Sequence, residues 1–290
     1  MTRSSPTRAS IQTWVRNHGD TIRRRLAHRL DPDRDADAGT PAPAPPPTTP
    51  DEAQAAPPPP LSAFDVTHEQ ALEWFDNRRT TYQRLCDAVS EHLPADGVVF
   101  DVGANIGYFT KALNERSGFT GRAHLFEPVP HLTALCRETM EDVRVDSTVH
   151  PFGLSDADST VTLYVAASGN LGWNTMIAEQ TQPGMQQLEI DVRRFDELGI
   201  EDVPSLVKID VEGAEYRVLR GMMSALERWQ PRPAILCEIG WGTSHPDWQS
   251  ELEVFEELSD LGYEVVDLSG EPISIAAIER TTDVIFRPTG

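Results

Sequence analysis

The sequence predicts an α/β fold: a doubly wound, mostly parallel sheet with helices on both faces. Three observations predict it. From residue 61 to residue 290, short apolar segments of strand length alternate with longer stretches of helical periodicity, the pattern of strands joined by helical crossovers. Four of the strand segments end in a carboxylate, at Asp101, Glu127, Asp210 and Glu238. In such sheets ligands lie outside the carboxyl ends of the strands. The first strand also feeds a glycine-bearing turn, Gly103-Ala-Asn-Ile-Gly107, that enters a helix.

The elements follow in order. Thr67 with Gln70 forms a capping-box pattern that opens a helix expected to run to about Leu93. Pro94 to Gly97 is a turn, and Val98–Val102 is the first strand, followed by a helix from Tyr108 to about Arg116. Ala123–Glu127 is the second strand, and Pro128–Met140 the next helix. Val149–Leu154 reads as a third strand, with Val161–Val165 and Leu188–Val192 inserted before the next unit. Leu206–Asp210 is a buried strand before a helix from about Ala214 to Trp229. Ala234–Glu238 precedes a helix near Asp247–Leu261, and Tyr263–Asp267 and Val284–Phe286 finish the sheet.

The first sixty residues do not belong to this core. Residues 41–60 contain ten prolines, which can hold neither a helix nor a sheet ladder and predict an extended linker after an acidic stretch, together residues 31–60. Residues 1–30 carry seven Arg against Asp20, a net charge of +6, and residues 31–60 carry −5. Of the chain's total of −21, residues 61–290 therefore hold −22. Within residues 9–30, Ile11, Trp14, Val15, Ile22, Leu26 and Leu30 share one helical face, and the segment reads either as an arm docking on an anionic membrane surface or as a mostly unstructured tail. It has no continuous apolar core of a secretory signal, while its Arg-rich character leaves an organellar transit peptide open. The expected location is cytoplasmic, peripheral at the inner face of the membrane if the arm binds it.

Composition narrows the rest. No apolar run approaches the ~18 residues of a spanning helix, and so large a negative charge disfavours nucleic acid as a partner. Cys86, Cys136 and Cys237 are too few and too far apart for a disulfide framework or a metal knuckle, and are expected as buried thiols. Only Lys111 and Lys208 are lysines among 25 basic residues. Few lysines with abundant acid suit a protein kept soluble in high salt, as in a halophile.

The strand-end carboxylates suit hydroxyls, ammonium groups and cations, and oppose a diphosphate. The turn lacks the second glycine and the spacing of a dinucleotide fingerprint. Glu127, twenty residues beyond Gly107, can accept hydrogen bonds from two ribose hydroxyls. A nucleoside with an amino-acid tail and a sulfonium charge, S-adenosylmethionine, fits this chemistry. Asp101 to Thr110, Phe126-Glu-Pro128, Phe195-Asp196, Val207-Lys-Ile-Asp-Val-Glu-Gly-Ala-Glu215 with Leu219 and Gly221, and Ile235 to Glu238 resemble the FkbM-type S-adenosylmethionine-dependent methyltransferases. The resemblance covers roughly residues 96–270. It implies a Rossmann-like class I methyltransferase fold and O-methylation, often of sugars or natural products. It implies that Asp101, Gly103, Asn105 and Gly107 cradle the methionine portion, that Glu127 holds the ribose, and that Asp210 lies beside the methionyl group or the acceptor.

Methyl transfer to a hydroxyl needs in-line alignment and a base within hydrogen-bond reach. The candidates are Asp210, Glu212, Glu238 and His245, although Glu212 and Glu215 also read as ordinary first-turn helix acids and His245 as an incidental loop residue. Asp210, Glu212 and Glu238 are also a candidate set for Mg²⁺. Trp173, in the small and polar stretch Gly169–Thr175, is a candidate for stacking on a sugar. The expected acceptor is a hydroxyl or a uronic carboxylate on a glycan or a lipid-linked sugar. The rival readings are a nicotinamide-dependent oxidoreductase and a non-catalytic S-adenosylmethionine-binding module.

Overall fold

The computed structural model describes residues 62–166, 171–172, 174–182 and 184–289. The basic arm, the linker, Gly169, Asn170 and Trp173 lie outside the described residues. Two helices precede the first strand, α1 (His68–Asp76) and α2 (Arg79–Val89). The capping box forms as the sequence predicts, Thr67 Oγ1 accepting from the Gln70 amide at 3.2 Å and Gln70 Oε1 from the Thr67 amide at 3.0 Å. The single long helix expected here is instead broken at Asn77-Arg78. The Asp76 carboxylate just before the break is drawn out to the Tyr108 hydroxyl (2.7 Å) and Arg79 (3.2 Å), and Asn is a weak helix-interior residue that favours turns. The break lets both Phe75 and Tyr82 reach Tyr108.

The main sheet has seven strands. In chain order its elements are β1 (Val98–Val102), α3 (Tyr108–Ser117), β2 (Arg122–Phe126), α4 (Pro130–Glu141) and β3 (Asp146–His150). A second group, β4 (Gly153–Ser155), β5 (Ser159–Val165), β6 (Asn174–Thr175) and β7 (Gln186–Arg194), forms a separate four-stranded sheet ordered β4-β7-β5-β6. The chain then returns through β8 (Leu206–Ile209), α5 (Glu215–Arg228), β9 (Ala234–Ile239), α6 (Trp248–Asp260), β10 (Tyr263–Val266) and β11 (Thr282–Pro288). The main-sheet order is β10-β11-β9-β8-β1-β2-β3, parallel except where β11 runs antiparallel to both its neighbours. The predicted third strand is two strands in different sheets. Pro151, which has no N–H to give a ladder, separates them, so His150 ends the main sheet and Gly153 starts the second.

Alternation along β1 fixes which face each residue serves. Phe100 and Val102 pack with Val207, Ile209, Ile235 and the helices α5 and α6. Val99 packs on the other face among Leu113, Leu125 and Cys136. Phe100, Phe195 and Trp229 meet at 5.3–5.9 Å between ring centroids. Each side chain of this size contributes about 1.5–3 kcal/mol when buried. The three cysteines are free and buried as predicted. None of the helices among the described residues is long and apolar enough to cross a membrane.

Candidate active site

The turn after β1 is built from backbone that only certain residues can adopt. Gly103 (φ 74°), Asn105 (φ 52°) and Gly107 (φ 77°) all lie in the left-handed region. A Cβ on Gly103 would fall 1.9 Å from the Asp210 carbonyl, so this contact between β1 and β8 requires glycine. The turn's amides are consumed internally. Those of Gly103 and Ala104 donate to the Phe126 carbonyl (3.1 Å each), that of Ile106 to Asn105 Oδ1 (3.0 Å) and that of Gly107 to the Ala104 carbonyl (2.8 Å). The Asn105 amide donates to Glu127 Oε2 at 2.9 Å, and the Val129 amide to Glu127 Oε1 at 2.8 Å. Glu127 is thus gripped at both oxygens at the end of β2. Burial pushes its carboxyl up to about 7 against the pull of those two amides.

Between β1 and β8 lies a lysine that sequence reasoning did not assign to the site. Lys208 is buried, donates to the Gly103 carbonyl at 2.8 Å, and stands 3.6 Å from Asp101 Oδ1 and 3.3 Å from Asp210 Oδ2. Burial works against its charge, but Asp210 and Asp101 outweigh it, so its pKa lies above the ordinary value. Asp101 is fully buried, accepts from Thr110 Oγ1 at 2.8 Å, and is pushed up by burial despite the lysine. Asp101 therefore sits behind Lys208 rather than on the cleft wall. The one signal in the sequence was the scarcity of lysine, which makes a lysine inside a strand conspicuous.

The loop from Asp210 to Ala214 is shaped from below. Glu215, the first residue of α5, accepts from the amides of Val211 (3.0 Å) and Gly213 (3.0–3.1 Å). The helix-acid reading holds for Glu215 but not for Glu212. Glu212 precedes the helix, adopts φ 56° and faces the cleft, its carbonyl bound by Thr175 Oγ1 at 2.7 Å. His245 is not placed as a base, contrary to the sequence expectation. Its side chain is fully buried, with Nε2 2.8 Å from the Gly213 carbonyl and Nδ1 3.0 Å from the Asp247 amide and 3.1 Å from Glu251 Oε1. Both ring nitrogens are engaged, Nε2 holding the loop at Gly213 and Nδ1 accepting from the Asp247 amide.

Asp210, Glu212 and Glu238 each bring one carboxylate oxygen within 4.8 Å of the others. Glu238 Oε2 is buried without a hydrogen-bond partner among the described residues. Burial, then Asp210 and Glu212, push the Glu238 carboxyl up to about 10. Asp283, opposite Glu238 on β11, is pushed up to about 6 by burial and Asp210.

The carboxyl ends of the strands open into one cleft. Gly103, Asn105, Glu127, Asp210 and Glu212 line it, as do Lys208 and Asn174. Gly107 serves from behind by opening α3, and Glu238 completes the acid cluster at the rim. The cleft has two characters. Leu154, Leu163, Ile190 and Val192 make the side under the second sheet apolar, while the β8 side is charged. Phe75, Tyr82 and Tyr108, none expected from the sequence, close the wall from the helices flanking β1.

The seven-stranded order β10-β11-β9-β8-β1-β2-β3, parallel but for β11 and with the cleft at the carboxyl ends of the strands, is the class I methyltransferase fold. Residues 101–265 match the methyltransferase FkbM domain, and the chain belongs to that family. It is 29% identical over 170 residues to Methyltransferase 1 of Beauveria bassiana, covering 50% of this chain and 66% of that protein. It is 30% identical over 139 residues to the hexuronic acid methyltransferase AglP of Haloferax volcanii, covering 47% of this chain and 54% of that one. The chain thus spans between half and two thirds of these relatives. Among solved structures, an FkbM methyltransferase of Methylobacillus flagellatus aligns with a TM-score of 0.45 and 18% identity, over 67% of this chain and 44% of that one.

Proposed function

We propose that the chain is an S-adenosylmethionine-dependent O-methyltransferase whose acceptor is a sugar hydroxyl or uronic carboxylate on a glycan, glycolipid or related metabolite. The observation that carries this reading is Glu127, held by two backbone amides at the end of β2 with lone pairs left for a pair of ribose hydroxyls. The cofactor would supply an electrophilic methyl group; a hydroxyl acceptor must lose its proton as its oxygen bonds the methyl carbon and the carbon–sulfur bond breaks, whereas a uronic carboxylate is already ionised and needs no base. Asp210 is the best candidate to take that proton. Its carboxylate is 38% exposed on the cleft wall, whereas burial and Asp210 push Glu212 well above the carboxylate range and keep it protonated. The name of the AglP relative favours a sugar acid as the acceptor-bearing unit.

An anionic uronate would be repelled by Asp210 unless a cation lay between them, and a cation there would also draw the protons off Glu212 and Glu238. Glu238 Oε2, buried and without a partner among the described residues, supports that second reading, in which the three acids would hold Mg²⁺, which would offset a uronate's charge or lower the pKa of a hydroxyl acceptor. The acidic rim weighs against a nicotinamide dinucleotide, whose diphosphate it would oppose. If the basic arm contacts membrane, a lipid-linked sugar at the cytoplasmic face is the favoured acceptor.

The test is calorimetric titration of the full chain in high salt with S-adenosylmethionine and S-adenosylhomocysteine, with and without Mg²⁺ and with Glu127→Ala. Micromolar binding, weakened about tenfold or more in the variant, is expected from the loss of charge-assisted hydrogen bonds. A uronate screen then follows, in which activity lost on chelation supports the metal. No binding of either ligand by folded protein would sink the methyltransferase reading.

A further inference from the structure

Resting on the cofactor reading above, we propose that Tyr82, on α2 and outside the segment that matches the family, is a binding residue for the amino-acid tail of the cofactor, its phenol donating to the tail's carboxylate. The direction of the ligand follows from the two characters of the cleft. A nucleoside whose ribose is held at Glu127 has an apolar side on which to lay its purine, among Leu154, Leu163, Ile190 and Val192. Its zwitterionic tail then crosses the Gly103–Gly107 turn toward β8, since β1 lies between β2 and β8 in the sheet. There the α-ammonium meets acids, but the α-carboxylate needs donors, and few are free. The amides from Gly103 to Gly107 are all spent on partners within the protein. The Val211 and Gly213 amides are bound to Glu215. Lys208 is committed to the Gly103 carbonyl, Asp101 and Asp210.

Tyr82 supplies a donor at this place. It lines the cleft, and its hydroxyl makes no hydrogen bond among the described residues. Its ring is held edge-on against Phe75 (5.7 Å, 69°) and Tyr108 (4.9 Å, 69°), so the phenol is aimed without cost in side-chain freedom when the ligand arrives. It shares the cleft wall with Gly103 at the end of β1 and with Lys208 and Asp210 at the end of β8, and burial first, then the carboxylates of Asp210, Asp101 and Glu238, push the phenol well above its ordinary value, so it stays a neutral donor. The neighbouring Tyr108 cannot serve, because its hydroxyl is already bound to Asp76 at 2.7 Å.

A truncated ligand tests this without any methyl acceptor. S-adenosylhomocysteine and 5′-methylthioadenosine share the nucleoside and the thioether sulfur, and only the first carries the amino-acid tail. Calorimetric titration of the full chain and of Tyr82→Phe with both ligands is expected to show S-adenosylhomocysteine weakened roughly tenfold and methylthioadenosine unchanged within about twofold. The substitution removes only an unpartnered hydroxyl, so an unchanged melting temperature accompanies it. Equal losses for both ligands, or no loss for S-adenosylhomocysteine, would overturn the role of Tyr82. A wild-type chain that binds neither ligand would instead overturn the cofactor reading on which the role rests.

Discussion

His245 shows how one residue type can mislead in sequence and be corrected by its surroundings. A histidine in a loop after a strand-end acid has the right chemistry for a base, yet here its Nε2 is spent on the Gly213 carbonyl and its Nδ1 faces the Asp247 amide and Glu251. Burial lowers its pKa, so the ring is neutral at physiological pH and acts as a two-ended brace beneath the Asp210–Ala214 loop. His245→Ala is expected to lower stability by about 1–3 kcal/mol, the range for leaving a buried carbonyl unpaired. His245→Gln, whose amide nitrogen reaches about as far as Nε2, is expected to recover part of that loss. Urea melts of both variants check this; equal stability of the Ala variant and the wild type would remove the bracing role. At this scale the sequence marked as candidates the residues whose type is diagnostic, Glu127 and the turn glycines, and the structure brings them to the cleft. It concealed those whose role depends on distant partners. Tyr82 is indistinguishable from a core aromatic until Phe75 and Tyr108 are seen around it.

Strand and helix segments were legible because apolar period and punctuation decide them locally, and β1, β2, β8 and β9 fall within a residue or two of their predicted ranges. The second sheet was not legible as a sheet. Its strands were anticipated as insertions, but nothing in Val161–Val165 or Leu188–Val192 says that they pair with each other and with β4 rather than with β3. The packing of α5 on β4 shows what holds that sheet in place. A Cβ on Gly221 would fall 2.0 Å from the Ser155 carbonyl, and Asp196 accepts from the amides of Ser224 (3.1 Å) and Ala225 (2.8 Å) within the same helix. Gly221→Ala pits two effects against each other. Helix propensity favours alanine by about 1 kcal/mol. Overpacking against backbone that cannot rotate away is worth about 1–3 kcal/mol or more in the other direction. The variant is therefore expected to lower the urea midpoint, and because β4 adjoins the apolar side of the cleft, to weaken nucleoside binding with it. A raised midpoint would show that the helix can shift away from the sheet at no penalty.

Across the whole molecule the acid excess is not only a solvated surface. The domain holds several carboxylates whose pKa values burial has raised: Glu127 and Glu215 to about 7, Glu251 to about 8 and Glu238 to about 10. The sign of their effect on stability follows directly. Each binds its proton more tightly in the folded state than in the unfolded chain, so its contribution is fully present below the unfolded value near 4.5 and is lost as pH rises through the folded value. The groups shifted the other way act only at lower pH, with Asp76, Asp87, Asp202 and Asp267 below the ordinary carboxylate range and His150 near 4. Above pH 7 the raised acids therefore dominate, and the melting temperature of the ligand-free chain is expected to fall steadily toward pH 9.5. Glu238→Gln removes the most shifted of these four, and is expected to flatten this slope and raise the melting temperature at pH 8 by a few degrees, at ~2–4 °C per kcal/mol for a domain of this size. Salt separates this from simple self-repulsion of a chain with residues 61–290 at −22. Screening shortens from about 10 Å at 0.1 M to about 3 Å at 1 M, which suppresses repulsion between surface charges but barely reaches buried ones. Calorimetric scans from pH 7 to 9.5 at low and high KCl should thus show higher melting temperatures in salt, as a halophile-like composition implies, with the pH slope retained. A slope that vanishes in high salt, or that Glu238→Gln leaves unchanged, would place the instability on the surface rather than at the rim of the cleft.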